Sequence, residues 1–432
     1  MSALHVVGAG VAGLAAALAG AWAGRTVRLY EAAGQAGGRC RSVEGDGGAD
    51  AHDNGTHVLL GANRAALGFL DAIGARGDWI EPEPEGLPIV DLETGETARV
   101  GLSPWSWLRP GRRPPGLGFG DLGRLALLSL PGLPDRTVEA AVGAGAFARA
   151  VVEPLTVAAL NTPVGEASAR RLARVLRRVL LPGAGRLLVA RRGLGPDLVA
   201  PALARLAERG IVPAYGRRLR AVEAADGGER AARLVFADGA VPLGDGDEVV
   251  LALPPHALAR LLPVPTPLPE RYEPIVNLHY HGAYPTGARV RFVGLLGGLG
   301  QWVLFRPGTV SVTVSAARDA VGEAADELAA RGWAEVREAA GRLGIGPLPD
   351  GLPAYRVVKE KRATVSQIAG DTFVPPTRRP LANVALAGDW LSPLPATIEA
   401  AVASGTAAVR EGRAWPSAGR PGRGAQTAAA AG

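Results

Sequence analysis

Leu4-His5-Val6-Val7-Gly8-Ala9-Gly10-Val11-Ala12-Gly13 opens the chain, and a second apolar run, Val27-Arg28-Leu29-Tyr30, ends on Glu31. This order reads as strand, glycine turn, helix, strand and acid, the signature of a dinucleotide site. Gly8 allows the tight turn after the strand, Gly10 leaves no side chain in the way of a pyrophosphate, and Gly13 lets the helix pack close to the sheet. The helix N-terminus offers free N–H groups to the phosphates. Glu31 can accept hydrogen bonds from ribose hydroxyls, and its charge repels a 2′-phosphate. A bare GxGxxG is weak in a chain with 60 glycines among 432 residues. Gly143-Ala-Gly145, in an Ala-rich helical stretch, and Gly294 to Gly300, among strands, lack the context and read as packing glycines or loops. Only the N-terminal copy has both the strand before it and the acid after it.

Glu31 is followed by Ala-Ala-Gly-Gln-Ala-Gly37-Gly38-Arg39. A nicotinamide enzyme needs no Gly-Gly-Arg turn there. In a flavin enzyme, Gly38 lets backbone approach the cofactor and Arg39 meets the diphosphate or the flavin edge, so FAD is favoured over NAD. Near the other end, Val384-Ala-Leu-Ala-Gly388-Asp389-Trp390 is a strand running into Gly-Asp. Pro395-Ala-Thr397-Ile398-Glu399 then opens a helix. A strand, an acid and a helix N-terminus again suit a polar, anionic ligand.

Composition narrows the class. At 47% hydrophobic and 20% charged residues, the chain is globular and long enough for two domains. The single cysteine, Cys40, excludes an internal disulfide framework and fits a reducing, cytoplasmic compartment. Cys40 itself reads as a small packed residue. The pI is near 9.9, yet the formal net charge is only +6. No nucleic-acid-binding motif accompanies it. The six histidines are too scattered to argue for a metal site. Val11 to Ala23 resembles a secretory apolar region, but no basic stretch precedes it and the dinucleotide turn lies inside it. We expect no signal peptide and no transmembrane helix.

The expected fold is α/β: a Rossmann-like cofactor domain, discontinuous over about 1–75, 197–258 and 381–412. A substrate domain of antiparallel sheet plus helices fills 76–196 and 259–380. Residues 413–432 read as a disordered tail. Ile89 to Val100 reads as a hairpin, 101–196 as mainly helical, and 197–210 as a helix N-capped by Asp197. Leu219 heads a strand, 285–315 reads as antiparallel sheet, and Glu323 to Leu343 as a long helix.

The Gly-Gly-Arg extension resembles the FAD-dependent amine oxidase and phytoene desaturase superfamily. Further strings narrow the resemblance: Asp53-Asn-Gly-Thr-His57, Pro154 to Pro163, Tyr272-Glu-Pro-Ile-Val276, Lys361-Arg-Ala-Thr364 and Leu394 to Glu399. Together they are similar to the hydroxysqualene dehydroxylases, also described as squalene-associated FAD-dependent desaturases, from about residue 4 to 410. Two departures stand out: Thr56 where that pattern carries Gln, and Leu391-Ser-Pro393 where it carries a Thr/Gly turn. The resemblance implies an amine-oxidase-like fold and FAD bound by Gly8, Gly10, Gly13, Glu31, Gly38, Arg39, Leu219, Gly388, Asp389, Thr397 and Ile398. Asp389 takes the flavin ribityl or diphosphate region, and the backbone at Thr397 and Ile398 faces the flavin. The implied reaction reduces hydroxysqualene to squalene with loss of water, which calls for an apolar tunnel.

His57 is the first candidate for a proton donor or polar positioner, against a structural hydrogen-bonding role. Glu399 is weaker, since an acid in a first helical turn often only complements the dipole. Asn161 either binds a substrate hydroxyl or caps a turn before Pro163. Residues 167–192 hold eight arginines and no acid. Arg170, Arg174 and Arg178 at helical spacing, with Trp105 and Trp107, suggest peripheral attachment to anionic lipid on the inner face of the cytoplasmic membrane. Prenyl synthases that make the substrate are candidate partners. The competing readings are a carotenoid-type desaturase acting on a similar lipid, and a noncatalytic flavoprotein scaffold.

Overall fold

The computed structural model describes residues 2–43, 51–132, 134–181, 183–262, 268–370 and 379–409. The tail expected over 413–432 lies outside them. Ala3–Val7 is a central strand of a four-stranded parallel sheet. It pairs with Thr26–Tyr30 on one side and Glu248–Leu251 on the other, with Val384–Leu386 beyond. These runs are apolar because a parallel sheet is covered on both faces. Since the strand's two neighbours lie on opposite sides, a crevice opens at its carboxyl end, where Gly8 stands.

The helix Val11–Trp22 is nearly all Ala, Leu and Gly, and most of it is buried. The stretch that resembles a secretory apolar region is thus a core helix. Small residues let a second helix, Ile398–Ala408, lie against it: a Cβ on Gly405 would stand 2.0 Å from the Ala12 carbonyl oxygen. The close approach brings the N-termini of both helices to one end of the sheet.

A second sheet has seven strands in the order Ala354–Val365, Tyr272–His281, Thr309–Val314, Trp302–Arg306, Arg291–Leu296, Leu87–Asp91 and Thr97–Val100. All neighbours are antiparallel except Arg291–Leu296 with Leu87–Asp91, which run parallel. Period-two alternation divides its faces. Val276, Leu278 and Tyr280 lie under the helix Ala325–Leu343, where Tyr280 donates to the Ala329 carbonyl at 2.8 Å and its ring lies 4.9 Å from that of Trp333. Asn277 and His279 project to the opposite face and are equally buried.

Helices fill much of 119–179: Phe119–Leu128, Val138–Val142, a π-helical turn Ala148–Val152 running into Glu153–Leu160, and Ala169–Val179. Ser168 caps the last of these by accepting from the Arg171 N–H at 3.2 Å. Their shared core includes Leu128, Val138, Phe147, Leu160 and Leu172. Leu187–Ala190 then pairs with Val58–Leu60 and Trp79–Ile80.

One local expectation is overturned. Asp197 does not cap a helix at its own position. It lies inside a π-helical turn, Gly195–Val199, that runs into Ala200–Ala207. Its fully buried carboxylate turns back to the Arg192 backbone N–H at 2.7 Å and the Arg192 guanidinium at 2.7 Å. The acid serves the loop before the helix, because that loop holds the backbone donors.

Candidate active site

The crevice and the apolar lobe share one cavity of about 1620 Å³. At its sheet end the glycines have separable reasons for being glycine. Gly8 sits at φ +99°, and a Cβ there would meet the Ala252 carbonyl oxygen at 2.4 Å. A Cβ on Gly13 would stand 1.7 Å from the Gly8 carbonyl oxygen. Gly10 differs: its φ of −70° suits any residue, and a Cβ would meet only the Gly38 Cα, at 4.0 Å. No protein atom requires glycine at position 10. A ligand running over the turn would, and bare backbone at a helix N-terminus suits the diphosphate of a dinucleotide.

Glu31 lies behind this turn. Its carboxylate accepts from Ala9 N–H at 2.7 Å and from Ala33 N–H at 2.8 Å. A carboxylate has about four acceptor positions, so two remain for ribose hydroxyls. Gly37 and Gly38 both take positive φ, and the Gly37 N–H donates to Ala9 carbonyl at 2.8 Å, which locks the Gly-Gly-Arg turn against the first one.

Arg39 then crosses to the far end of the chain, where its guanidinium meets Asp389 at 2.8 Å. The Asp389 charge holds the Arg39 pKa above its usual value. The Gly388 N–H donates to Ser404 Oγ at 3.0 Å, pinning that strand end to the final helix. Thr397 is the N-cap residue of that helix, Ile398 its first buried residue, and Leu219 the first residue of the strand Leu219–Ala224. All three line the cavity with Gly8, Gly10, Glu31, Gly38, Arg39, Gly388 and Asp389. Gly13 lies beneath, as a packing residue. Cys40 is buried, and burial pushes its thiol up to about 12, so it is an inert packed residue.

The middle of the cavity is polar. His57 lines it, and its Nδ1 lies 3.0 Å from the Gly55 carbonyl oxygen. That contact requires a proton on Nδ1, which makes Nε2 an acceptor in the neutral ring. Burial lowers the His57 pKa, so the neutral form prevails. Asn277, on the cavity face of the large sheet, accepts from Thr313 Oγ1 at 3.1 Å and from the Thr56 N–H at 3.4 Å. The loop bearing Thr56 and His57 is therefore fastened to the sheet. Asn161 ends its helix at φ 48°. Its amide donates to Thr364 Oγ1 at 3.0 Å and its oxygen accepts from the Ala316 N–H at 2.6 Å. It caps a chain turn and also touches the cavity.

Glu399 is placed otherwise than a proton donor would be. Its two oxygens accept from the Ala66 N–H at 2.9 Å and from Arg178 at 3.2 Å. In the basic helix, Arg178 reaches Glu399, Arg174 the Pro393 carbonyl, and Arg177 the Ser129 carbonyl, while Arg170 is exposed. An amphipathic pattern alone does not say whether its polar face meets water or polar protein. The Trp pair divides too. Trp107 is packed edge-on to Phe147 at 5.8 Å, while Trp105 is 64% exposed.

The histidines are less scattered in space than along the chain. His52 and His279 lie 5.0 Å apart, and His52 and His281 5.8 Å apart. Among the described residues no His, Cys, Asp or Glu group could hold a metal ion. Beyond this middle zone the cavity is walled by Leu122, Leu125, Val151, Leu155, Leu172, Val175 and Leu176, with Phe292 and Trp302 on the sheet side.

A flavin-binding oxidoreductase architecture is thus in place, and comparison with known proteins gives it a family. The model of flavin-containing amine oxidoreductases matches residues 11–284. Putrescine oxidase with bound putrescine superposes with a TM-score of 0.66 at 18% identity, over 94% of this chain and 97% of that one. An oxidoreductase from Methanosarcina mazei gives 0.69 at 14% identity, over 94% and 99%. These two likenesses establish the fold. The chain is 39% identical to a hydroxysqualene dehydroxylase of Rhodopseudomonas palustris, over 94% of this chain and 97% of the relative. It is 34% identical to that of Zymomonas mobilis, over 94% and 98%. The chain belongs to the hydroxysqualene dehydroxylase family, within the flavin-containing amine oxidoreductases, and is an FAD-dependent oxidoreductase.

Proposed function

We propose that this enzyme reduces hydroxysqualene to squalene with release of water, using FAD held at the glycine crevice. The observation that carries the reading is the cavity itself: a bare phosphate-binding turn, a small polar zone and a long apolar wall share one enclosure. When bound and reduced, FAD would supply both the hydride and the proton, so that hydroxysqualene and FADH2 give squalene, water and FAD. Gly8, Gly10, Gly38 and the helix N-terminus hold the diphosphate, Glu31 the ribose, and Arg39 with Asp389 the ribityl–diphosphate stretch. Thr397, Ile398 and Leu219 bound the cofactor through their backbone. Residues 1–75, 197–258 and 381–412 form the cofactor domain in this reading, and 76–196 with 259–380 the substrate domain.

The chain's own work is placement and exclusion of water. Leu and Val side chains from the helical lobe take the polyisoprenoid chain, which offers no polar handle along most of its length. His57 accepts a hydrogen bond from the substrate hydroxyl at Nε2 and fixes which carbon faces the cofactor. It acts as a positioner, since its neutral ring has no proton to give at Nε2. Asn161 keeps the turn beside that zone in shape. The enzyme acts at the cytoplasmic membrane surface, where its substrate resides and where a prenyl synthase upstream would deliver it.

The decisive test is anaerobic. The FAD-loaded protein is reduced and mixed with hydroxysqualene, and flavin absorbance and lipid product are followed together. Flavin reoxidation matched by squalene formation supports the assignment. Reoxidation absent with hydroxysqualene, or desaturated product formed under oxidising conditions, overturns it. His57→Ala should lower turnover about tenfold with FAD retained, about 1.4 kcal/mol of lost positioning. Unchanged turnover would remove His57 from the site.

A further inference from the structure

The helix Phe119–Leu128 reads Phe-Gly-Asp-Leu-Gly-Arg-Leu-Ala-Leu-Leu. Its two charges serve the helix itself: Asp121 accepts from the Gly118 N–H at 2.9 Å and pairs with Arg124 at 3.4 Å. Every remaining side chain is apolar, on all sides. A helix of that composition belongs inside a protein or in lipid. This one is inside on one face only. Leu128 is buried and Leu125 packs on the lobe's core, whereas Phe119 is 90% exposed and Leu127 and Leu130 are about half exposed. Leu108 and Trp105 are exposed too, and Trp105 donates to the Leu180 carbonyl at 2.9 Å, which joins the segment before this helix to a second exposed Leu pair, Leu180 and Leu181. An apolar surface of this kind on a water-facing protein marks an interaction site.

Two observations select its occupant. Leu122, Leu125 and Ala126 of this helix line the cavity, as does Leu180, while Phe119 and Leu127 of the same helix are exposed and do not line it, so one helix separates the cavity from the outer surface. Residues 101–132 contain four arginines and one acid; Arg112 pairs with Glu85 and Arg124 with Asp121, and Arg109 and Arg113 leave the segment with a net positive charge. We propose that the helix Phe119–Leu128, with Leu130 two residues beyond its end, seats in the outer layer of an anionic bilayer and forms the gate through which a membrane-dissolved lipid enters the cavity between Leu122 and Leu180. A lipid surface fits both facts, since it covers the apolar side chains and delivers the substrate directly through that wall. Gly120 and Gly123 meet no protein atom where a Cβ would stand, so packing does not require them. They lower the helix's intrinsic stability relative to alanine and ease its movement. This inference rests on the lipid substrate proposed above. It moves the attachment surface from the arginine helix, whose side chains are largely engaged, to the apolar one.

The test uses the FAD-loaded full chain and the triple variant Phe119→Glu/Leu127→Glu/Leu130→Glu, none of whose positions lines the cavity. Both proteins are floated with vesicles of phosphatidylglycerol and phosphatidylcholine, and assayed with substrate in vesicles and in detergent micelles. The variant should keep its flavin spectrum and its micellar activity within about twofold. It should lose flotation and at least about tenfold of its vesicle activity. Undiminished flotation overturns the proposal, as does an intact protein that is a dimer at the assay concentration and becomes a monomer in the variant. Loss of the flavin spectrum would show only a folding defect. Leu127→Cys labelled with an environment-sensitive dye then decides, because Cys40 is buried. A blue shift on vesicles supports the proposal, and no shift overturns it. If the micellar assay also fails in the wild-type protein, the lipid reaction itself is wrong, a result separate from attachment.

Discussion

The cofactor crevice and the helical lobe share one cavity but are built on opposite principles. In the crevice, position is set by backbone: glycines where a Cβ would collide, a helix start, and one acid behind each of two turns. In the lobe, the cavity is set by bulk: leucines and valines that interchange with little loss as long as volume is conserved. A diphosphate has fixed geometry and demands directed donors, whereas a polyisoprenoid chain demands only a dry wall. The substitutions that test this difference range from abolishing the fold to barely measurable.

The largest effect is expected at Gly13. A Cβ there collides with backbone, not with a side chain that can swing away. Gly13→Ala should give no soluble flavoprotein. Gly10→Ala should fold with an unchanged melting temperature in the absence of FAD, since nothing in the protein opposes the methyl group. Its FAD affinity should fall about 100-fold, or about 2.8 kcal/mol. Flavin titration and thermal melts separate the pair. Equal melting losses in both variants would mean that Gly10, too, serves packing.

These two regions also explain what the sequence could reveal. Gly8 and Gly13 were legible because backbone beside the strand end leaves no room for a Cβ, whereas Gly10, Glu31 and Asp389 were legible only as a pattern, whose cofactor role is the proposal above. Residue spacing could not show that Glu399 meets Ala66 and Arg178, or that the basic helix Ala169–Val179 directs Arg174, Arg177 and Arg178 at other parts of the protein. Those pairings depend on packing between segments more than two hundred residues apart, or in one case about fifty. The histidine group was hidden likewise, because His52 and His279 meet only when the chain closes. Gly405 carried a signal, small residues in a C-terminal helix, whose meaning needs the partner at Ala12.

That histidine group supplies an intermediate effect. Burial, with His52, His281 and Arg306 nearby, lowers His279 to about 3. Its Nδ1 lies 2.8 Å from Ser311 Oγ. The unfolded chain binds a proton on this ring near pH 6.5, and the folded chain does not until about pH 3. Between those limits the unfolded state holds more protons, so stability falls as pH falls, by about 1.4 kcal/mol per pH unit. The full contribution is present above pH 6.5. His279→Gln should flatten the denaturant midpoint between pH 6.5 and pH 4.5, relative to the wild type. An equal slope in both proteins would assign the acid sensitivity to other groups.

The smallest effect is expected at Arg170, and it sharpens the contrast between the lobe's two helices. Arg170 is exposed on the basic helix, beside arginines that are already engaged. A basic residue held at an anionic membrane contributes about 1 kcal/mol, so reversing one that sits there should weaken vesicle binding fivefold or more. If the apolar helix Phe119–Leu128 carries attachment, Arg170 lies outside the contact and acts only through screened, long-range attraction. Arg170→Glu should then weaken binding less than about twofold at 0.15 M salt, because the Debye length there is about 8 Å. A fivefold loss for this single change, with the glutamate triple variant still bound, would return the membrane to the arginines and leave the apolar helix without an assigned role.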